Sequence, residues 1–192
     1  KDLSAATKTV TDAVTIYANE NESVSSMLNK AQPTVLLSAA SGMSSSSSAD
    51  AIQGILNQFN LSEDQAMHVA DTVEKLSSEI ALDFSKGCDT ISQSIATSGS
   101  VVNEAGMSFE KYAALVSTTA EKTRVSGSQI GNAFKTIFSR ISRSKDGLTT
   151  DAEMSDAEAA LKSVGVSVRR ADGDLRDISD TLDDLNKVCI MQ

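Results

Sequence analysis

A single proline, Pro33, stands in 192 residues, so almost nothing in this chain forbids an α-helix. The ten glycines read as punctuation between stretches of helical periodicity. Hydrophobic residues make up 40% of the sequence, but aromatics only 4%, and tryptophan is absent, so a core must be built from Ala, Val, Ile, Leu and Met. Such cores form helix on helix. The expected fold class is mostly α, a compact multi-helix domain, and the length suffices for one ordinary domain or two small ones.

Leu3, Ala6, Val10, Val14 and Tyr17 recur every three or four residues and define one face of a first helix. Val24, Met27 and Leu28 continue in a second, after which Pro33 restarts the chain for a short apolar run from Val35 to Ala40 that Gly42 ends. The five serines at 44–48 read equally as a flexible linker or as the approach to a helix capped by Ser48, with Ile52, Ile55, Leu56 and Phe59 as its buried stripe. Ser62 and Gln65 have capping-box spacing, with Leu61 as the staple residue. A long helix is expected to follow through Ala66, Val69, Val73, Leu76, Ile80 and Phe84 until Gly87 stops it, and Ile91, Ile95 and Val102 mark a shorter, serine-rich one.

Two helices read more clearly. Phe109, Tyr112, Ala113, Val116 and Ala120 share one face after Ser108; Ile130, Phe134, Ile137, Phe138 and Ile141 share another in a helix beginning near Ser128, with Gly127 separating the two. Ser155 and Glu158 again have capping-box spacing before Leu161 and Val164, and Gly165 ends that helix. Val166 and Val168 alternate with Ser167 and Arg169, and Asp172-Gly173 permits a tight reversal, which predicts a small β-hairpin near the C-terminus. Ile178, Leu182, Leu185 and Val188 form a last amphipathic helix. The organisation expected is N-terminal helices over 1–41 leading into the core, a helical core over 42–148, and a helix, hairpin and C-terminal helix over 149–192. Gly42-Met43-Ser44 and Gly106-Met107-Ser108 repeat one local device: a glycine ends a helix, an apolar residue covers the joint, and a serine starts the next helix.

The formal charge of −9 argues against wholesale binding to nucleic acid or anionic membrane. Its distribution is uneven. Residues 111–145 hold seven basic side chains (Lys111, Lys122, Arg124, Lys135, Arg140, Arg143, Lys145) against one acid, Glu121, a local balance of +6 that leaves −15 for the remainder. Lys135, Arg140 and Arg143 fall off the apolar stripe of their helix, and the candidate interaction residues are Lys122, Arg124, Lys135, Arg140, Arg143 and Lys145. No aromatics interleave with that edge, which excludes sequence-specific reading of nucleic acid.

Chemistry is hard to assemble from the rest. His68 is the only histidine and lies beside an apolar stripe, where a packing residue is the expected role. The carboxylates near it, Glu63, Asp64, Asp71 and Glu74, read as a solvated face. Asp172, Asp174 and Asp177 lack the glycine and closing glutamate of a calcium loop. Gly127 and Gly131 lack the Lys-Ser/Thr of a phosphate loop and read as a turn and a close packing point. No cofactor and no enzymatic activity are expected. Cys88 and Cys189 are far apart with no CxxC, which suits a reduced cytosolic history. No apolar run of about 18 residues occurs. The first residue, Lys1, is preceded by no methionine and opens no signal peptide, as expected of a fragment or a processed chain.

On these residues alone the chain is a helical interaction domain. The segment GMSFEKYAALVSTTAEKTRVSGSQIGNAFKTIFSRI, residues 106–141, closely resembles the core of phage tail tape-measure proteins, in which a Gly-apolar-Ser corner opens a helix rich in small residues and a Gly-Ser-x-x-Gly turn leads into a helix ending in Arg-apolar. Here those positions are Gly106-Met107-Ser108, Gly127-Ser128, Gly131-Asn132 and Ser139-Arg140-Ile141. The resemblance extends from about Gly42 to Val188 and departs from the family where Cys189-Ile190-Met191-Gln192 ends a chain that family members continue. It implies a structural part in tail assembly: a folded section of a protein that helps to set tail length in the tail lumen and leaves at DNA ejection, after host-cytoplasmic assembly. Implied partners are tail tube and tail-tip proteins, tail assembly chaperones and other copies of itself, with host-membrane contact falling to other parts of the full-length protein. The alternative from another class is a bacterial helical signalling or adaptor module, which long unbroken heptads would favour and recurrent glycine stops oppose. A cell-wall hydrolase, carried by some tape-measure proteins, would need an acid/base pair that is missing here.

Overall fold

The computed structural model describes residues 3–19, 23–80, 83–142, 156–174 and 176–190. Among them the chain forms helices α1 (Leu3–Asn19), α2 (Val24–Ser41), α3 (Ser45–Phe59), α4 (Ala66–Glu79), α5 (Phe84–Glu104), α6 (Phe109–Thr123), α7 (Gly127–Ser142), α8 (Asp156–Ser163) and α9 (Ile178–Ile190), with a 3-10 turn at Glu63–Gln65 leading into α4.

Serine caps four of these helices, α2, α3, α6 and α7. The first N–H groups of a helix have no internal acceptor, and a hydroxyl one residue outside supplies one. Ser44 Oγ accepts from Ser47 N at 3.0 Å, so the serine run is the cap and first turn of α3 and not a linker; Ser48, expected to cap, is buried inside the helix. Ser23 Oγ accepts from Ser26 N at 3.1 Å at the head of α2. Both Gly-Met-Ser corners form as expected: Gly42 and Gly106 take φ of 73° and 90°, conformations that only glycine enters freely, and Ser44 and Ser108 cap the helices that follow.

The longest helix, α5, is the axis of the domain and packs against α3, α4, α6 and α7. Its glycines are contact points. A methyl carbon at Gly87 would meet Ser77 Cβ of α4 at 3.0 Å, and one at Gly99 would meet Gln58 Cβ of α3 at 2.8 Å. The expectation that Gly87 ends a helix is therefore wrong. α4 ends earlier, at Glu79, and Asp83 caps α5 through its Oδ1, which accepts from Lys86 N at 3.4 Å. Pro33 does not restart the chain either; it lies buried within α2.

The core brings together Ile52, Ile55, Phe59, Val69, Val73, Ile91, Ile95, Phe109, Tyr112, Val116, Ile130 and Phe138. Tyr112 is its hub, with ring centroids 6.3 Å from Phe59, 5.6 Å from Phe134 and 6.3 Å from Phe138. Its buried hydroxyl is bonded to Ser98 Oγ at 2.5 Å and Ser94 Oγ at 3.0 Å, and burial raises its pKa above that of an ordinary phenol despite both bonds.

A smaller cluster joins α1 to α2 and α3 through Ala13, Tyr17, Ala31 and Ala49. Here the rotation of α1 departs from the expected face: Val10 and Val14 are 46% and 37% exposed, and Tyr17 is wholly buried. The tyrosine decides it. Tyr17 Oη lies 2.8 Å from Thr34 Oγ1, and the buried Lys30 ammonium sits 4.7 Å from the Tyr17 ring centroid while donating to Gln53 Oε1 at 2.8 Å. Satisfying a phenol and a buried cation together outweighs burying two valines.

The expected β-hairpin is absent: the described residues contain no β-strand. The reversal exists, with Gly173 N donating to Arg170 O at 3.1 Å and Arg176 N to Val168 O at 2.9 Å, but only Arg169 makes an isolated bridge. Val166 N is already committed to Leu161 O at 2.9 Å, closing α8, and the Val166 and Val168 side chains are buried at 2% and 3% exposure. Little backbone is left for a ladder, and a two-stranded ribbon alone is marginal.

Candidate interaction surface

The segment of highest positive charge is built on α6, α7 and their joint. Arg124 ends α6 in the left-handed region at φ 59°, its N–H returning to Ala120 O at 2.9 Å. Ser126 then caps α7: its Oγ accepts from Gln129 N at 3.4 Å and Gln129 Oε1 accepts from Ser126 N at 3.2 Å. This capping box begins two residues before the start expected at Ser128.

What holds α7 in place is close approach to α5. A methyl carbon at Gly127 would collide with the Thr90 carbonyl, and one at Gly131 would lie 2.7 Å from Thr97 Cβ and 2.8 Å from Ser94 O. Gly131 is thus the expected packing point, whereas Gly127 is the first residue of α7 and a second packing point instead of a turn. With the glycines against α5, Ile130 and Phe138 are buried, Phe134 packs against the core, and Ile137, expected on the same stripe, is 47% exposed.

That rotation turns the cations outward. Lys122, Arg124 and Lys135 are exposed, and no hydrogen bond or ion pair among the described residues takes up their charge. Arg140 belongs to α7, but its side chain lies outside those described, and Arg143 and Lys145 lie outside the described residues altogether. Lys111, by contrast, is spoken for: its Nζ donates to Asp177 Oδ2 at 2.6 Å, a bond that raises its pKa and joins α6 to the approach to α9.

His68, expected in a packing role, has a half-exposed side chain whose Nε2 lies 2.7 Å from Glu110 Oε1 and whose ring meets Phe109 edge-on at 6.5 Å. Burial pushes the Glu110 carboxyl up, but hydrogen bonds from His68, its own backbone and Ser108 outweigh burial and hold it below the usual glutamate range. Asp172 accepts from Asp174 N at 3.1 Å, and Asp177 is taken by Lys111. Among the described residues no group of three or more His, Cys, Asp or Glu is placed to hold a metal ion. No described helix is long and apolar enough to cross a membrane. Cys88 is a buried free thiol, and burial raises its pKa.

Sequence reasoning missed the buried Lys30 and the pairing of Glu158 with Arg169, whose Nε lies 3.2 Å from Glu158 Oε1. Nothing in the sequence distinguishes either from a surface charge. Glu158 borders a hollow of about 290 Å³ lined also by Lys162 and residues 165–168.

The fold and this surface define a class: a helical structural module fastened by small-residue contacts, with cations presented on one helix joint. Residues 1–189 match the family of phage-related minor tail proteins, and the chain belongs to that family. It is 26% identical over 145 residues to the "Probable tape measure protein" of Escherichia phage P2, an alignment that spans 76% of this chain and 16% of that protein. No solved structure matches. The family is one of structural phage-tail proteins, and membership in it does not favour the signalling-adaptor alternative.

Proposed function

We propose that the chain is a folded section of a tape-measure protein that helps to determine tail length, resides in the tail lumen after assembly in the host cytoplasm, and is linked to DNA ejection. The likeness to the tape measure protein of phage P2 supports this reading. The section is not itself the ruler: at about 1.5 Å per residue even an unbroken helix of this chain would span only about 290 Å, and the helices fold back on one another. Its work is non-enzymatic: it anchors a longer molecule to tube and tip proteins, to assembly chaperones or to neighbouring copies. The core of that anchor is the stretch 42–148, with 1–41 leading in and 149–192 closing it.

The observation that carries the proposal is the cationic edge of Lys122, Arg124 and Lys135, continued in sequence by Arg140, Arg143 and Lys145, on a chain that is otherwise strongly acidic. Such an edge steers and orients an acidic partner. Reversing Lys135, Arg140 and Arg143 together should impair tail assembly while leaving helical content and melting temperature unchanged. Normal tails from that variant would remove the basic edge from the account.

A further inference from the structure

The main cluster of buried residues, the one around Tyr112, draws on α2 to α7 and takes nothing from α1. α1 is joined to the rest through Ala13 and Tyr17, which meet Ala31 of α2 and Ala49 of α3, with Ile16, Met27 and Val35 partly buried around them. Three of those four buried residues are alanines, so Tyr17 is the one large side chain that α1 buries among the described residues.

What Tyr17 covers is polar. Its hydroxyl lies 2.8 Å from Thr34 Oγ1, and its ring lies 4.7 Å from the Lys30 ammonium. Thr34 and Lys30 are wholly buried. Lifting α1 returns an ammonium and two hydroxyls to water, which offsets part of the apolar contact that is lost.

Left to itself, α1 is a poor helix. Seven of its 17 residues are Thr, Val or Ile, whose branched Cβ lowers helix propensity. The Thr11 and Thr15 hydroxyls bond back to the Thr7 and Thr11 carbonyls at 3.0 and 2.7 Å, an arrangement that slightly weakens a helix. Isolated helices of about 12–15 residues are marginal even when rich in alanine, and one so rich in threonine and valine melts once it leaves the domain. α5 is the opposite case, enclosed by α3, α4, α6 and α7.

We propose that α1 is a strap that melts and re-forms as one unit while α2 to α7 stay folded, with Tyr17 as its clasp. Such openings lie between the fraying of an end and global unfolding. The 17 residues of α1 span about 26 Å as a helix and reach about 56–61 Å when extended. The unit therefore has one end that yields in length without loss of its core, and the same opening uncovers Lys30 and Thr34.

Amide hydrogen exchange of the 192-residue chain, read residue by residue by NMR at rising sub-denaturing urea, tests the strap. Interior amides of α1 should share one opening, more frequent than that of α5 by about a hundredfold or more and less dependent on urea. Tyr17→Leu should speed α1 exchange by about tenfold or more and leave α5 unchanged, and a chain lacking residues 1–22 should keep α5 protection within about tenfold. The strap is overturned if α1 amides exchange only in step with α5, if their protection declines residue by residue from the N-terminus, or if they show no protection at all. Loss of α5 protection in either variant overturns it too, because the core would then depend on α1, and a Tyr17→Leu chain whose α1 exchanges as before refutes the clasp.

Discussion

Alanine in place of glycine should act with opposite sign at two positions, because one glycine is pressed against a neighbour and the other is not. At Gly131 the new methyl carbon would lie 2.7 Å from Thr97 Cβ and 2.8 Å from the Ser94 carbonyl oxygen, both more than half an ångström inside ordinary contact, and the second is backbone that cannot rotate away. Relief requires α7 to withdraw from α5, loosening Ile130, Phe134 and Phe138. Overpacking of this kind costs about 2–3 kcal/mol, and the better helix propensity of alanine returns ~1 kcal/mol, leaving a net loss of about 1–2 kcal/mol. For a chain of this length that lowers the melting temperature by about 2–8 °C. At Gly54 no atom stands within 4 Å, so only the propensity gain remains, about 0.5–1 kcal/mol, or a rise of about 1–4 °C. Thermal unfolding followed by far-ultraviolet circular dichroism, at a concentration where the chain is monomeric, checks both. If Gly131→Ala is neutral or stabilising, α7 does not sit on α5 at this distance and the account of the interface is wrong.

Three further outcomes follow from the same packing. Phe138→Ala should cost about 3–5 kcal/mol and Ile137→Ala less than about 1 kcal/mol by denaturant titration, although the two are sequence neighbours on the expected stripe; equal costs would contradict the rotation of α7. Tyr112→Phe should cost about 1–2 kcal/mol, because it strips the Ser94 hydroxyl of its partner and leaves Ser98 only its bond to the Ser94 carbonyl. With the Tyr112 pKa raised in the fold, its contribution is complete below the ordinary phenol pKa and is lost as pH rises through the folded value, so the variant should flatten the alkaline limb of the stability profile. Glu110 behaves oppositely: its lowered pKa gives stability that is present above the ordinary glutamate value and lost as pH falls through the folded one, and Glu110→Gln should make the acid limb shallower by a small amount, as expected of a half-exposed pair.

The helices were legible where one periodic stripe was bounded by a Gly-Met-Ser corner, as for α6, whose five expected core residues are all buried. They depart from the sequence pattern at glycines inside helices. Gly87, expected to stop a helix, and Gly99 lie within α5 and mark where two backbones meet, a property of the partner helix that no local window contains, whereas Gly131 is the packing point its sequence context predicts. The same blindness hid Lys30: a lysine becomes a core residue only because Tyr17 of α1 and Gln53 of α3 arrive to receive it. Alternation at Val166 and Val168 predicts a hairpin that does not form because the Val166 N–H is bonded to Leu161 of α8. The cationic edge was legible as a count along the sequence; which cations are already engaged was not, since Asp177 is 66 residues from Lys111.

The central claim is that this helical unit is a tail component held through its basic edge, and imaging of assembled tails tests it most directly. Tails that carry the native chain should show density for the folded unit within the tube, with the α6–α7 joint against an acidic surface, and charge reversal at Lys122, Arg124 and Lys135 should deplete assembled tails while the domain melts unchanged. Density for the unit with that joint facing open solvent, together with tails of normal number and length from the reversed variant, would contradict it.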